Sequence, residues 1–144
     1  MIQQGNIIST IITIWLLLCS IQDIKKKKVN TDLIVAGVLL LTIVTSIFGS
    51  ITMLNRFAGL SLGVVLLGLC YVTRGQIGIG DGLILCITGL NLGFLKNSLL
   101  LLYALLGAAV FSAILIFFWR VNRHKTIPFV PFLFLGYLGV LFLE

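Results

Sequence analysis

The chain has 144 residues, of which 60% are hydrophobic and only 10% are charged, and its net charge is +6. Soluble domains average about half apolar and about a quarter charged residues, so this composition excludes a water-soluble globular protein. Because the positive charges fall between long apolar runs, they favour a role in membrane orientation over binding to nucleic acid.

The order of apolar runs predicts an all-α, polytopic membrane protein with about six transmembrane helices in a single domain, residues 1–144. The predicted spans are residues 6–22, 32–49, 55–73, 82–95, 98–119 and 127–143. Several are shorter than the ~20 residues that a perpendicular helix needs. The fourth is the shortest, and we expect its N-terminal end to start inside a protein-lined cavity.

The basic residues predict the orientation of these spans. Eight of the ten follow spans 1, 3 and 5, whereas Arg56 and Lys96 fall on the other side. Cytoplasmic loops are enriched in Lys and Arg, so the side with eight is predicted to be cytoplasmic and both termini extracytoplasmic. The basic loop at residues 120–126 is interpreted as a topology anchor, with docking to anionic lipid as the alternative.

The sequence predicts no metal site and no cofactor. The only histidine, His124, lies in a cationic loop without an acidic neighbour in sequence. The three cysteines, Cys19, Cys70 and Cys86, lie singly inside apolar spans, where they are expected to be small packing residues.

Two of the four acidic residues, Asp23 and Asp81, lie where an apolar span meets a basic or glycine-rich segment. A carboxylate in or beside a bilayer is costly, and it therefore indicates function. Spans 2 and 3 separate the two aspartates, so one outward and one inward crossing return the chain to the same face. Asp32 is a rival for Asp23, but it follows Asn30 and Thr31 at a helix start, where capping is expected.

If Asp23 and Asp81 meet, their chemistry is that of a hydrolase. Two carboxylates that share a site cannot both ionise readily, so one keeps its proton. The ionised one can activate water while the protonated one polarises a peptide carbonyl. Helix ends suggest Asp81 as the base and Asp23 as the acid. Gly78 and Gly80 would let an extended substrate pair with the backbone beside Asp81.

At four places the chain resembles the type IV prepilin peptidase family of membrane aspartyl proteases. The segments are Asp23–Asn30, with its basic run, the GxGD sequence Gly78–Asp81, Gly89–Gly93, and Ile127–Phe132 followed by Leu135-Gly136. The resemblance implies six spans, catalytic aspartates at Asp23 and Asp81, and cleavage of a short basic leader at the cytoplasmic face of a bacterial membrane.

The chain resembles the short, peptidase-only form of the family, because it lacks the paired cysteines of the methyltransferase region. Three positions depart from the family pattern: Asn30 replaces a proline, Leu83 a lysine and Val130 a glycine.

The sequence alone is compatible with three functions. The first is a prepilin-type leader peptidase, whose partners are a prepilin-like protein substrate and the lipid bilayer, with no nucleic acid. The second is an inactive relative that binds prepilins or assists secretion, which Leu83 favours. The third is a small transporter that uses a buried acidic residue for proton coupling.

Overall fold

The computed structural model describes residues 2–26, 30–49, 51–73, 78–119 and 128–143, and every regular element in these ranges is an α-helix. The helices are α1 (Ile2–Lys26), α2 (Thr31–Phe48), α3 (Met53–Val72), α4 (Ile79–Trp119) and α5 (Val130–Phe142). The prediction of an all-α protein is therefore confirmed for the described part of the chain.

The outer surface of the helices is rich in exposed apolar side chains, as in a membrane protein. Three of them are long and apolar enough to cross a bilayer: Ile7–Lys26, Met53–Val72 and Ile79–Phe117. Large apolar side chains also face outward along the bundle, and Leu39 on α2 and Leu102 on α4 are both more than half exposed. Apolar patches of this extent are rare on soluble monomers, and they suit contact with lipid. Six crossings and the sides of the two termini stay predictions.

Helix α4 reverses its direction at Gly93, where φ is 78° and ψ is 179°. In a continuous helix, residues 85 and 97 would lie about 18 Å apart along the axis. Instead the Asn97 side-chain amide donates to the Leu85 carbonyl oxygen at 3.2 Å and accepts from the Thr88 hydroxyl at 2.8 Å. Residues 79–92 and 94–119 are therefore two helical arms packed side by side, and the reversal lies inside the predicted fourth span, 82–95, a few residues before its expected end.

Neighbouring helices pack in antiparallel pairs through small residues. Gly59 of α3 packs against Gly89 so closely that a methyl group on either would meet the other's carbonyl oxygen. Gly136 of α5 packs against the Leu100 carbonyl oxygen in the second arm of α4. Small residues let membrane helices approach at this range and gain dispersion contacts that lipid does not supply.

The interior combines an apolar core with a polar cluster. Buried core side chains come from α1, α2, α4 and α5: Ile12, Leu16, Leu41, Ile84, Leu85, Leu100, Leu133 and Tyr137 are almost completely buried. The polar cluster joins the C-terminal end of α2 to α3 and the α4 reversal. In it, the Thr45 hydroxyl donates to Asn91 at 2.6 Å, and Arg56 donates to the Thr45 carbonyl oxygen at 2.6 Å.

Candidate active site

Asp23 lies in the last turn of α1, and only 7% of its surface is exposed. Its Oδ2 atom accepts a hydrogen bond from the Val130 backbone N–H at 3.1 Å, and its carboxylate also accepts from the Phe129 N–H. These two amides belong to the N-terminal end of α5, where the first N–H groups of a helix lack partners within the helix. The N-terminal end of α5 therefore binds the Asp23 carboxylate, which lies in the last turn of α1.

Asp81 lies in the first turn of α4, where the glycine-rich segment becomes helical. Its backbone N–H donates to the Gly78 carbonyl oxygen at 3.1 Å, and its carboxylate accepts from the Gly78 N–H. The carboxylate contact is one half of a capping box, in which the third helical residue reaches back to the N–H before the helix, and the other bond is a backbone turn. A Cβ atom on Gly78 would come within 2.9 Å of Asp81 Oδ2, so glycine leaves room for the carboxylate.

The fold brings Asp23 and Asp81 to the same end of the helix bundle. Their carboxyl groups lie close enough for the two charges to interact. Asp23 ends up there from the last turn of α1, which the start of α5 holds, and Asp81 from the start of α4, although 58 positions separate the two aspartates along the chain. Two carboxyl groups within electrostatic range can act as an acid and a base in hydrolysis.

The other acidic candidate does not share this site. Asp32 lies in the first turn of α2 and is exposed. It is at a helix start, as predicted from its neighbours, while the N-cap residue Asn30 makes no side-chain capping bond and its N–H donates to Gln22 at 3.1 Å.

Of the other residues predicted from the sequence, some lie within the ranges that the structure describes and some lie outside them. Gly80 lies inside the first turn of α4 and is partly buried, and Leu83 packs against the apolar core. None of the three cysteines forms a disulfide bond, and Cys19 and Cys70 are buried. Lys27, Lys28, Arg74, the loop at residues 120–126 with His124, and Glu144 lie outside the described residues.

No three His, Cys, Asp or Glu side chains within the described ranges are grouped so as to hold a metal ion.

Sequence reasoning missed two contributions to this architecture. The first is the pair of backbone amides at the start of α5, for which a sequence carries no side-chain signal. The second is Arg56, which the sequence assigned to one side of the membrane without indicating burial, and which is only 7% exposed. Its guanidinium group donates to carbonyl oxygens near the C-terminal end of α2, where cations are stabilised by the free carbonyl groups.

Comparison with known proteins assigns this architecture to a family. A sequence model of the type IV leader peptidase family matches residues 10–119, which is most of the chain. The chain belongs to the type IV leader peptidase family. No curated protein and no solved structure matches the chain significantly. This family is one of aspartic peptidases, and the matched region of this family member includes Asp23, Gly78, Gly80 and Asp81. It ends before the proline-containing start of α5.

Proposed function

We propose that this type IV leader peptidase family member is an aspartic endopeptidase that removes short basic leaders from prepilin-like precursors at the cytoplasmic face of a bacterial membrane. The observation that carries the proposal is the meeting of Asp23 and Asp81 at one end of the bundle, where their charges interact. Family membership adds the substrate class. The proposal covers peptide-bond cleavage alone and includes no N-methylation step.

In the proposed reaction, one aspartate takes a proton from water and the other, protonated, donates a hydrogen bond to the scissile carbonyl oxygen. Water then attacks the carbonyl carbon, and the acid passes its proton to the leaving amine as the C–N bond breaks. Both carboxyl groups accept backbone amides at a helix N-terminus, Asp23 from α5 and Asp81 from α4. Helix position therefore does not distinguish the acid from the base, and either assignment is compatible with the proposal.

The substrate backbone is proposed to lie along Gly78 and Gly80, next to Asp81. Gly78 is exposed and lacks a side chain, so an extended peptide could approach its backbone. Lys25 and Lys26 are exposed in the last turn of α1 at the same end. We propose that anionic lipid lies between them and a basic leader, because like charges would otherwise repel each other.

The test is cleavage of a purified prepilin-like precursor by the detergent-solubilised enzyme and its variants. We expect Asp23→Asn and Asp81→Asn each to abolish cleavage while keeping the wild-type melting temperature. Asp32→Asn is the matched control, because Asp32 is an exposed aspartate at the same end of the bundle. Retained activity in either Asp23→Asn or Asp81→Asn would overturn the assignment of the pair.

The second candidate function is a prepilin-binding factor without peptidase activity. It is favoured by Leu83, which packs against the core where relatives that follow the usual pattern carry a lysine. It predicts that a precursor co-purifies with the wild type and is not cleaved. The transporter alternative fits less well, because Asp23 is in the last turn of its helix and Asp81 in the first turn of its own.

A further inference from the structure

The amides at the start of α5 have a complete set of partners. The Val130 and Phe129 N–H groups donate to Asp23, and Pro131 has no N–H to donate. The next two N–H groups, of Phe132 and Leu133, both donate to the Phe129 carbonyl oxygen. Asp23 therefore takes both N–H groups that α5 offers outside its own hydrogen bonding, and it is the cap of that helix.

Core packing and a hydrogen bond to α1 hold helix α5 in place, so its first backbone amides have a fixed position. The Val130 side chain is completely buried in the apolar core together with Leu133. Farther along the helix, the buried Tyr137 hydroxyl donates to the Ser9 carbonyl oxygen of α1 at 3.3 Å. Because hydrogen bonds join α1 and α5 at two places along their length, the orientation of the Asp23 carboxyl group is set by the position of α5.

We propose that the backbone amides of Phe129 and Val130 are positioning groups for Asp23, and that the start of α5 is thereby a working part of the peptidase site. The proposal rests on the proposed function, because it assigns these amides the task of orienting Asp23 toward Asp81 for hydrolysis. The competing explanation is that Asp23 serves only as a structural cap for α5. The two explanations differ in what happens to turnover when a single amide is removed.

The experiment replaces the Val130 amide by an ester, through incorporation of the matching α-hydroxy acid into the full chain. This change removes the N–H that binds Asp23 and keeps the Val130 side chain. An ester at Leu133 is the matched control, because its N–H donates to Phe129 within the helix and not to Asp23. Each protein carries ¹³C-labelled aspartate carboxyl groups, and Asp23→Asn identifies the infrared band of Asp23.

We expect the Val130 ester to shift the Asp23 carboxyl band and to lower kcat at least about tenfold, as for a lost hydrogen bond to a charged group, with KM unchanged. The Leu133 ester should lower the melting temperature and leave the band and kcat at their wild-type values. An unmoved Asp23 band in the Val130 ester, or an equal fall of kcat in both esters, would overturn the positioning role.

The proposed function and the positioning role fail in distinguishable ways. Cleavage by the wild type with an unchanged kcat in the Val130 ester overturns the positioning role alone. A folded wild type that cleaves no prepilin-like precursor overturns the proposed function, and the positioning role falls with it even if the Asp23 band shifts.

Discussion

Gly78 and Asp81 lie next to each other at the start of α4, and glycine at position 78 leaves space for the Asp81 carboxylate. The Asp81 carboxylate folds back onto the Gly78 N–H, and it occupies the space that a side chain at position 78 would need. A capping interaction at a helix N-terminus suits a carboxylate because unpaired N–H groups and the helix dipole both favour negative charge. The GxGD sequence in this chain therefore fixes the orientation of Asp81 and leaves the Gly78 backbone exposed.

Replacement of Gly78 by alanine should reduce activity more than stability. The new Cβ atom would come within 2.9 Å of Asp81 Oδ2, and the flexible end of the Asp81 side chain can move away at little cost. Because a displacement of about 1 Å of a reacting group can cost up to about 100-fold in rate, we expect kcat to fall within that range. Precursor cleavage and thermal unfolding of Gly78→Ala, beside Gly68→Ala as a control in open space, check this expectation. A loss of activity that merely parallels a loss of melting temperature would contradict it.

The pairing of α3 with the first arm of α4 depends on glycine at the crossing point. Gly59 and Gly89 bring two backbones together, and Gly63 similarly packs against Cys86 one turn away. The neighbouring atoms are backbone atoms, which cannot move aside as a side-chain tip can. The contact therefore sets the distance between these helices, and it places Asp81 relative to the rest of the bundle.

Gly59→Ala should therefore destabilise the protein by about 1–3 kcal/mol, the usual cost of overpacking a close interface. Gly68→Ala is the matched control, because Gly68 lies on the same helix and a Cβ atom there meets nothing within 4 Å. Alanine is a better helix former than glycine, so the control should be as stable as the wild type or slightly more so. Thermal unfolding in one detergent measures both variants, and equal melting temperatures would show that the crossing tolerates a methyl group.

The elements that could be predicted are those with a local signal. Apolar runs predicted the helices, and the gap at residues 96–97 between the fourth and fifth predicted spans lies three residues past the reversal at Gly93. Pro131 lies in the first turn of α5, where proline is tolerated. The predicted fifth span ended at the last residue of α4, whereas the predicted sixth span began three residues before α5.

The parts that could not be predicted depend on long-range backbone contacts. The bond from Val130 to Asp23 joins residues 107 positions apart, and its donor is an amide that every residue except proline has. The contacts of Arg56 could not be predicted for a related reason, because its partners are carbonyl oxygens and not acidic side chains. A sequence reports side-chain chemistry, whereas both of these contacts are set by where helix ends come together.

The first arm of α4, which begins beside Asp81, is shorter than α3 and than the second arm of α4. The first arm of α4, residues 79–92, is about 21 Å long at 1.5 Å per residue, and the hydrocarbon core of a bilayer is about 30 Å thick. Gly82 packs against Leu67, which is five residues before the last residue of α3. Because the two helices are antiparallel, Asp81 lies one residue nearer that end, about 6 Å inside it. A recess of this kind would let water reach the two aspartates below the membrane surface.

The same packing yields a prediction for membrane topology. Lys25 and Ile79 lie at the aspartate end of the bundle, whereas Met53 starts α3 and Leu95 follows the reversal at the opposite end. All four side chains are exposed. We expect single cysteines at positions 25 and 79 to react with a membrane-impermeant maleimide from the cytoplasmic side, and cysteines at positions 53 and 95 to react from the other side.

The measurement uses right-side-out and inverted vesicles and a background in which Cys19, Cys70 and Cys86 are replaced by serine. Retained precursor cleavage in each variant confirms that the fold survives the change. Labelling of Ile79→Cys and Leu95→Cys from the same side would mean that residues 79–92 enter the membrane and do not cross it. The six-span arrangement would then be wrong, and the aspartates would have to be reached from within a re-entrant segment. Labelling from opposite sides would make the short arm a true crossing, because residues 79–92 would then connect the two faces of the membrane.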